Sequence, residues 1–140
     1  MLSPKKNSKE NIRLEKDRYI SILKNLGWEV EDDDIEDVLW FTGPEGLMYH
    51  MTFDLLKMRF VGLYLNSAMS DLSFETVGKI GKLVAEEYRV LKSWSEDESL
   101  TLAYEFMDVD EAYTEAVLHY AIGALKYAFD EVFEKFGEAF

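Results

Sequence analysis

The densest run of side chains able to do chemistry is Glu31-Asp32-Asp33-Asp34-Ile35-Glu36-Asp37. Clustered carboxylates can hold a divalent cation, and an EF-hand loop does so with alternating oxygen ligands, glycine at the sixth position and glutamate at the twelfth. Counted from Asp32, the sixth position is Asp37 and the twelfth is Gly43, so the motif fails at both. The run is expected to be a solvated strand–strand turn; a weak contact to a cation or a basic partner is the sharper alternative. His50 and His119 are the only histidines, and neither has a spaced carboxylate partner with which to build a zinc site or a triad. Ser67, Ser70 and Ser73 would be nucleophiles only beside an oriented base, and Ser73 is better placed as a helix cap. Glu105, between apolar neighbours in a strand pattern, is the candidate for a buried catalytic carboxylate. With 28 acids in the chain, any one accidental carboxylate pair carries little information. Gly43 and Gly46 precede a strand rather than a helix N-terminus, so they form no phosphate cradle. No catalytic residue, cofactor or metal is therefore expected.

The bulk numbers narrow the class. At 140 residues the chain suits one domain, long enough to bury roughly 70% of its unfolded surface. A hydrophobic content of 48% supports a core despite 31% charged residues. The absence of cysteine excludes a disulfide framework and thiol chemistry. No apolar run reaches the ~18 residues of a membrane span, and the polar N-terminus has no signal-peptide core, so a cytoplasmic protein is the simplest fit. The net charge is −13; residues 1–24 hold seven bases against three acids, which leaves −17 on the other 116 residues. A surface this acidic repels phosphate, so neither nucleic acid nor an anionic membrane is an expected partner.

These residues sit on elements that the hydrophobic spacing predicts. Residues 1–8 read as a disordered basic arm, and 9–140 as a single domain. A helix follows over Lys9–Leu26, with Ser8 as its cap and Gly27 as a left-handed terminator. Period-two runs come next at Trp28–Val30, Asp37–Phe41, Leu47–Asp54 and Arg59–Asn66, with a turn at Thr42–Gly46 and a connection at Leu55–Met58. A helix over Phe74–Val90, strands at Val90–Ser95 and Leu100–Met107, and a helix over Asp110–Phe136 with a capping box at Asp108 and Glu111 complete the chain. Strands that cluster between helices indicate an α+β fold, an antiparallel sheet of about five strands with three helices in the order α-β-β-β-α-β-β-α.

Three features point to contact with other molecules. The final helix carries apolar residues over about 200° of arc, where a helix on one core shows a stripe little wider than 100°. In the middle helix, Val77, Ile80, Gly81, Val84 and Tyr88 form a stripe with two glycines nearby, and they are the candidates for self-association. The strand Arg59–Asn66 is apolar on both faces, which calls for cover on both. Its Phe60 and Tyr64, with Met48 and His50 on the preceding strand, are the candidates for partner binding, and the chain's methionines add adaptable contact.

The stretch Gly-Leu-Met-Tyr-His-Met-Thr-Phe-Asp followed by Arg-Phe-Val-Gly-Leu-Tyr-Leu-Asn, within 46–66, leads into the Phe74–Val90 helix, the Leu100–Met107 strand and the long last helix. Over residues 9–136 this order resembles the type III secretion chaperone-like fold and the YbjN-like group of small bacterial proteins. That resemblance implies an acidic homodimer that binds an extended segment of a client and hydrolyses nothing. The expected function is a non-enzymatic protein- or peptide-binding module, chaperone-like or regulatory. The alternative is an acidic inhibitor or immunity-type protein that neutralises a basic partner.

Overall fold

The computed structural model describes residues 4–32, 37–54, 60–107 and 111–140, the side chains of 4–11 and 111 excepted. The elements run α1 (Pro4–Asn25), β1 (Glu29–Glu31), β2 (Val38–Thr42), β3 (Met48–Asp54), β4 (Phe60–Ala68), α2 (Phe74–Glu87), β5 (Lys92–Glu96), β6 (Ser99–Met107) and α3 (Glu111–Phe136), with short 3-10 turns at Pro44–Gly46 and Gly137–Ala139. The strands form one antiparallel sheet in the order β1-β2-β3-β4-β6-β5. The α+β class and the element order are as expected, and the short β1 brings the strands to six. The chain's contacts fall into two compact units, Met1–Leu63 with Glu105–Glu115, and Tyr64–Tyr104 with Ala116–Phe140.

In the first unit, α1 opens on Pro4, whose missing N–H costs nothing at the first helical position. Residues 4–8 are therefore helical where a disordered arm was expected, because the lysine-rich stretch after Pro4 contains no breaker and continues the helix. Ser8 lies inside α1 rather than capping it, and residues 1–3 lie outside the described part. The helix ends as read: Gly27 has φ +88, its N–H donates to Lys24 O at 3.0 Å, and Trp28 N–H donates to Leu23 O at 3.1 Å. This is a Schellman closure, and glycine adopts its left-handed residue without strain.

Tyr19 and Leu23 of α1 are fully buried, and Tyr19 meets Phe53 of β3 edge-on at 5.4 Å. Strands β2 and β3 pair with Leu39 opposite Met51 and Phe41 opposite Tyr49, all four buried. The Phe41 and Tyr49 rings stack at 5.2 Å, and Trp28 covers Phe41 at 5.9 Å. The β2–β3 loop closes with Gly43 N–H donating to Leu47 O at 2.8 Å, and Glu45 and Gly46 take positive φ.

In the second unit, α2 begins at Ser73, whose Oγ accepts Thr76 N–H at 3.3 Å, while Asp71 Oδ1 accepts Ser73 N–H at 3.0 Å. The cap is the one expected; the helix stops at Glu87, three residues early. Ile80 and Val84 are its buried residues. Strands β5 and β6 are joined by the two-residue turn Asp97-Glu98, with φ 47 and 63. Such a turn matches the twist of a hairpin but is usually built with glycine or asparagine. Within this unit α3 buries Leu118, Ala121, Ile122, Leu125, Ala128 and Val132, spaced three and four apart. The chain end returns to the loop before α2, where Ala139 O accepts Ser70 N–H at 2.6 Å and Asp71 N–H at 3.1 Å. The Leu55–Met58 connection and Asp108 of the expected capping box lie outside the described residues.

Candidate interaction surfaces

The acidic run resolves first. Asp32 Oδ1 accepts from Lys16 Nζ at 2.8 Å, and its Oδ2 pairs with Arg13 Nη2 at 2.7 Å. Arg13 also reaches Asp17 Oδ1 at 2.6 Å, and these two partners, Asp17 foremost, raise its pKa above the ordinary value. The basic α1 thus satisfies the start of the acidic run from within the chain; Asp33–Glu36 lie outside the described residues. Glu105 is exposed, so it is not a desolvated carboxylate of the catalytic kind. His119 is exposed on α3. Among the described residues no three potential metal ligands converge.

The first surface is the outward side of the β2–β3 hairpin. Alternation sends Leu39, Phe41, Tyr49 and Met51 inward, so Val38, Trp40 and Thr42 point the other way, opposite Thr52, His50 and Met48. All six are half-exposed or exposed, with Met48 at 45%. Trp40 and His50 rings lie 4.8 Å apart, and burial lowers the His50 pKa from its ordinary 6.5. Register places exposed Glu29 and Glu31 of β1 opposite Thr42 and Trp40, which adds two carboxylates to this side. Phe60 lies in the same unit, 37% exposed at the start of β4.

Tyr64 belongs to the second unit, where its ring meets Trp94 of β5 edge-on at 6.1 Å. Beside it Asn66 Nδ2 donates to Thr101 Oγ1 at 2.7 Å. Val61, Leu63 and Leu65 take the inward side of β4. The strand apolar on both faces is therefore closed on one and only partly covered on the other.

The self-association candidates on α2 divide. Ile80 and Val84 are enclosed by their own chain and reach no surface. Gly81 faces Ser93, and a Cβ added to this glycine would stand only 3.8 Å from the serine Oγ. The Tyr88 hydroxyl donates to Glu131 Oε1 at 3.1 Å, and burial, with that carboxylate, raises its pKa. Ile80 and Val84 thus belong to the unit's own core, while Val77, Gly81 and Tyr88 stay half-exposed. On α3, whose wide apolar arc already pointed to contact, the residues left out of the candidate set are Tyr120 and Tyr127, 58% and 69% exposed. Their spacing of seven residues was the available signal. Trp40 was likewise missed, although it stands directly across the strand pair from His50.

No protein family matches the chain, and no curated protein does. Among solved structures, the crystal structure of YbjN from E. coli, a proposed transcription regulator, aligns with a TM-score of 0.60 at 10% identity, covering 80% of this chain and 86% of that one. The chain has a YbjN-like fold. At that identity the likeness concerns architecture alone, and what a fold of this kind does depends on the surfaces built on it.

Proposed function

We propose that the protein is a regulatory or chaperone-like binding module, one that works by contact as a cytoplasmic homodimer and catalyses nothing. Its partner is a protein segment carrying apolar and basic side chains, taken on the outward side of the β2–β3 hairpin. The observation that carries this reading is the half-exposed Trp40–His50 pair with Met48 beside it, bordered by Glu29 and Glu31. An amphipathic aromatic ring with a flexible thioether accepts varied apolar groups, and the flanking carboxylates select against acidic ones. The short edge strand β1 offers main-chain groups to an extended segment. The YbjN-like fold, that of a proposed transcription regulator, supports a regulatory or binding role.

The test uses partners captured from native lysate by the full chain, then purified and titrated against it. Trp40→Ala with Met48→Asp should weaken binding about tenfold or more, as expected for truncating the centre of an interface. Affinity unchanged by that pair of substitutions would refute the reading. Ionic strength separates it from the inhibitor alternative: apolar contact gives a shallow salt dependence, whereas neutralisation of a basic partner gives a steep one.

A further inference from the structure

We infer that two copies of this chain pair antiparallel along α3, with Tyr127 of each copy packed on Tyr120 of the other about a two-fold axis at Gly123. This rests on the homodimer reading above and assigns it a surface. The twelve residues 116–127 contain one charged side chain, Lys126, in a chain whose net charge is −13. Lys126 is already occupied: its Nζ lies 2.6 Å from Asp130 Oδ2 and 5.8 Å from the centre of the Tyr127 ring. Two acidic copies repel one another, so a contact between them is least opposed where neither carries charge.

The helix face also has the shape for it. Ala116, His119, Tyr120 and Tyr127 are exposed, and Gly123 is half-exposed, with no described residue within 4 Å of where its Cβ would stand. Glycine is disfavoured in a helix interior, and close approach of another backbone is the usual compensation. Among the described residues no neighbour within the chain supplies it. Both tyrosines are held from one side by their own chain, Tyr120 by the Tyr104 ring at 5.9 Å and Tyr127 by Lys126.

At about 100° and 1.5 Å per residue, Tyr120 and Tyr127 lie on the same side of the helix as Gly123, roughly 5 Å from it in opposite directions along the axis. A two-fold axis crossing the helix at Gly123 therefore exchanges them, laying Tyr127 of one copy over Tyr120 of the other, twice. The exposures of 58% and 69% correspond to about 250 Å² of aromatic surface per copy for side chains of ~200 Å². With Ala116, His119 and Gly123 the pair would bury about 800 Å² in total, at the low end for a specific contact, so the dimer is a weak one that dissociates at micromolar concentration.

The chain has no cysteine, which makes a single introduced thiol a clean reporter. Gly123→Cys in the full chain, oxidised mildly where sedimentation velocity finds the wild type dimeric, should convert most of the protein to a covalent dimer. Gly78→Cys, at a position on α2 that is as open and more exposed, should not. Tyr120→Glu with Tyr127→Glu should raise the dissociation constant at least about tenfold, with an unchanged far-ultraviolet spectrum. A dimeric wild type in which Gly123→Cys fails to link, or Gly78→Cys links instead, overturns the α3 surface and leaves the homodimer reading standing. A wild type that stays monomeric up to about 100 µM overturns both.

Discussion

Replacing Asp32 with alanine should cost the protein far more than replacing Lys16 with methionine, although the two side chains form one ion pair. The Lys16 side chain is 1% exposed and that of Asp32 is 20% exposed, with 2.8 Å between ammonium and carboxylate. Asp32→Ala leaves the ammonium enclosed and takes away a carboxylate that meets it at 2.8 Å. Breaking a buried pair from one side costs roughly 3–5 kcal/mol; the partial exposure of Asp32 moves the expectation to about 2–3 kcal/mol. Lys16→Met keeps most of the side chain's length, buries no charge and leaves Asp32 with Arg13, so it should stay within about 1 kcal/mol of wild type. For 140 residues the unfolding entropy is about 0.3 kcal/mol/K, so Asp32→Ala should lower Tm by about 7–10 °C and Lys16→Met by no more than about 3 °C. Urea titration followed by tryptophan fluorescence, with thermal melts by circular dichroism, measures both. Equal losses in the two variants, or an Asp32→Ala chain within about 1 kcal/mol of wild type, would refute the idea that Asp32 is what makes a buried lysine tolerable here.

The same structure sets three further outcomes. Because burial lowers the His50 pKa from 6.5, the unfolded chain takes up this proton first as pH falls; the stability that neutral His50 confers is complete above about pH 7 and declines as pH drops through about 6.5 toward the folded value. In urea midpoints, His50→Gln should therefore gain on wild type below about pH 6.5 and run parallel to it above about pH 7.5, and a constant difference would contradict the assignment. Gly43→Ala would place a Cβ 2.6 Å from Tyr49 Cε2, within the stacked Phe41–Tyr49 pair, and should destabilise by about 1–3 kcal/mol, whereas Gly78→Ala, in open space on α2, should stabilise by up to about 1 kcal/mol. Urea midpoints read both changes. Glu98→Gly relieves the positive φ of 63 in the β5–β6 turn and should raise Tm by about 2–3 °C, for a gain of somewhat under 1 kcal/mol.

The elements were legible wherever the chain used local chemistry. Ser73 caps α2, Gly27 terminates α1, and the alternation of Leu47–Asp54 names the inward residues Tyr49, Met51 and Phe53. What escaped was set by partners distant in sequence. Pro4 to Ser8 lacks apolar periodicity, yet it is helical because a good helix-forming stretch continues into residues that α1 anchors through Tyr19 and Leu23. Asp32 looked like part of a uniform acidic turn, and only the fold brings Lys16 and Arg13 to it. Glu105 alternates with apolar neighbours in the manner of a buried group, but its alternation places it outward. Of the binding candidates, Met48 and His50 share one side of β3 by simple period two, while their neighbour Trp40 follows from a cross-strand register that only the hairpin loop could set.

The apolar excess that first suggested a contact-making protein is divided between core and surface on both α2 and α3, and residue type decides much of that division. On α2, Ile80 and Val84 are buried inside the unit, Val77 stays half-exposed, and Phe74 at the helix start is 98% exposed. On α3 the broad arc separates into an inner line of leucine, isoleucine, valine and alanine and an outer set of aromatic residues, Tyr113, Tyr120, Tyr127 and Phe133. Aliphatic side chains gain only by leaving water, so the chain's own core claims them first. Tyrosine keeps its hydroxyl hydrated while its ring lies against a neighbour, so it tolerates half-exposure and still gains when a second surface covers it. Apolar breadth alone therefore does not locate an interface. The part of the arc that residue chemistry allows to remain at the surface does, and on this helix that part is centred on Tyr120, Gly123 and Tyr127.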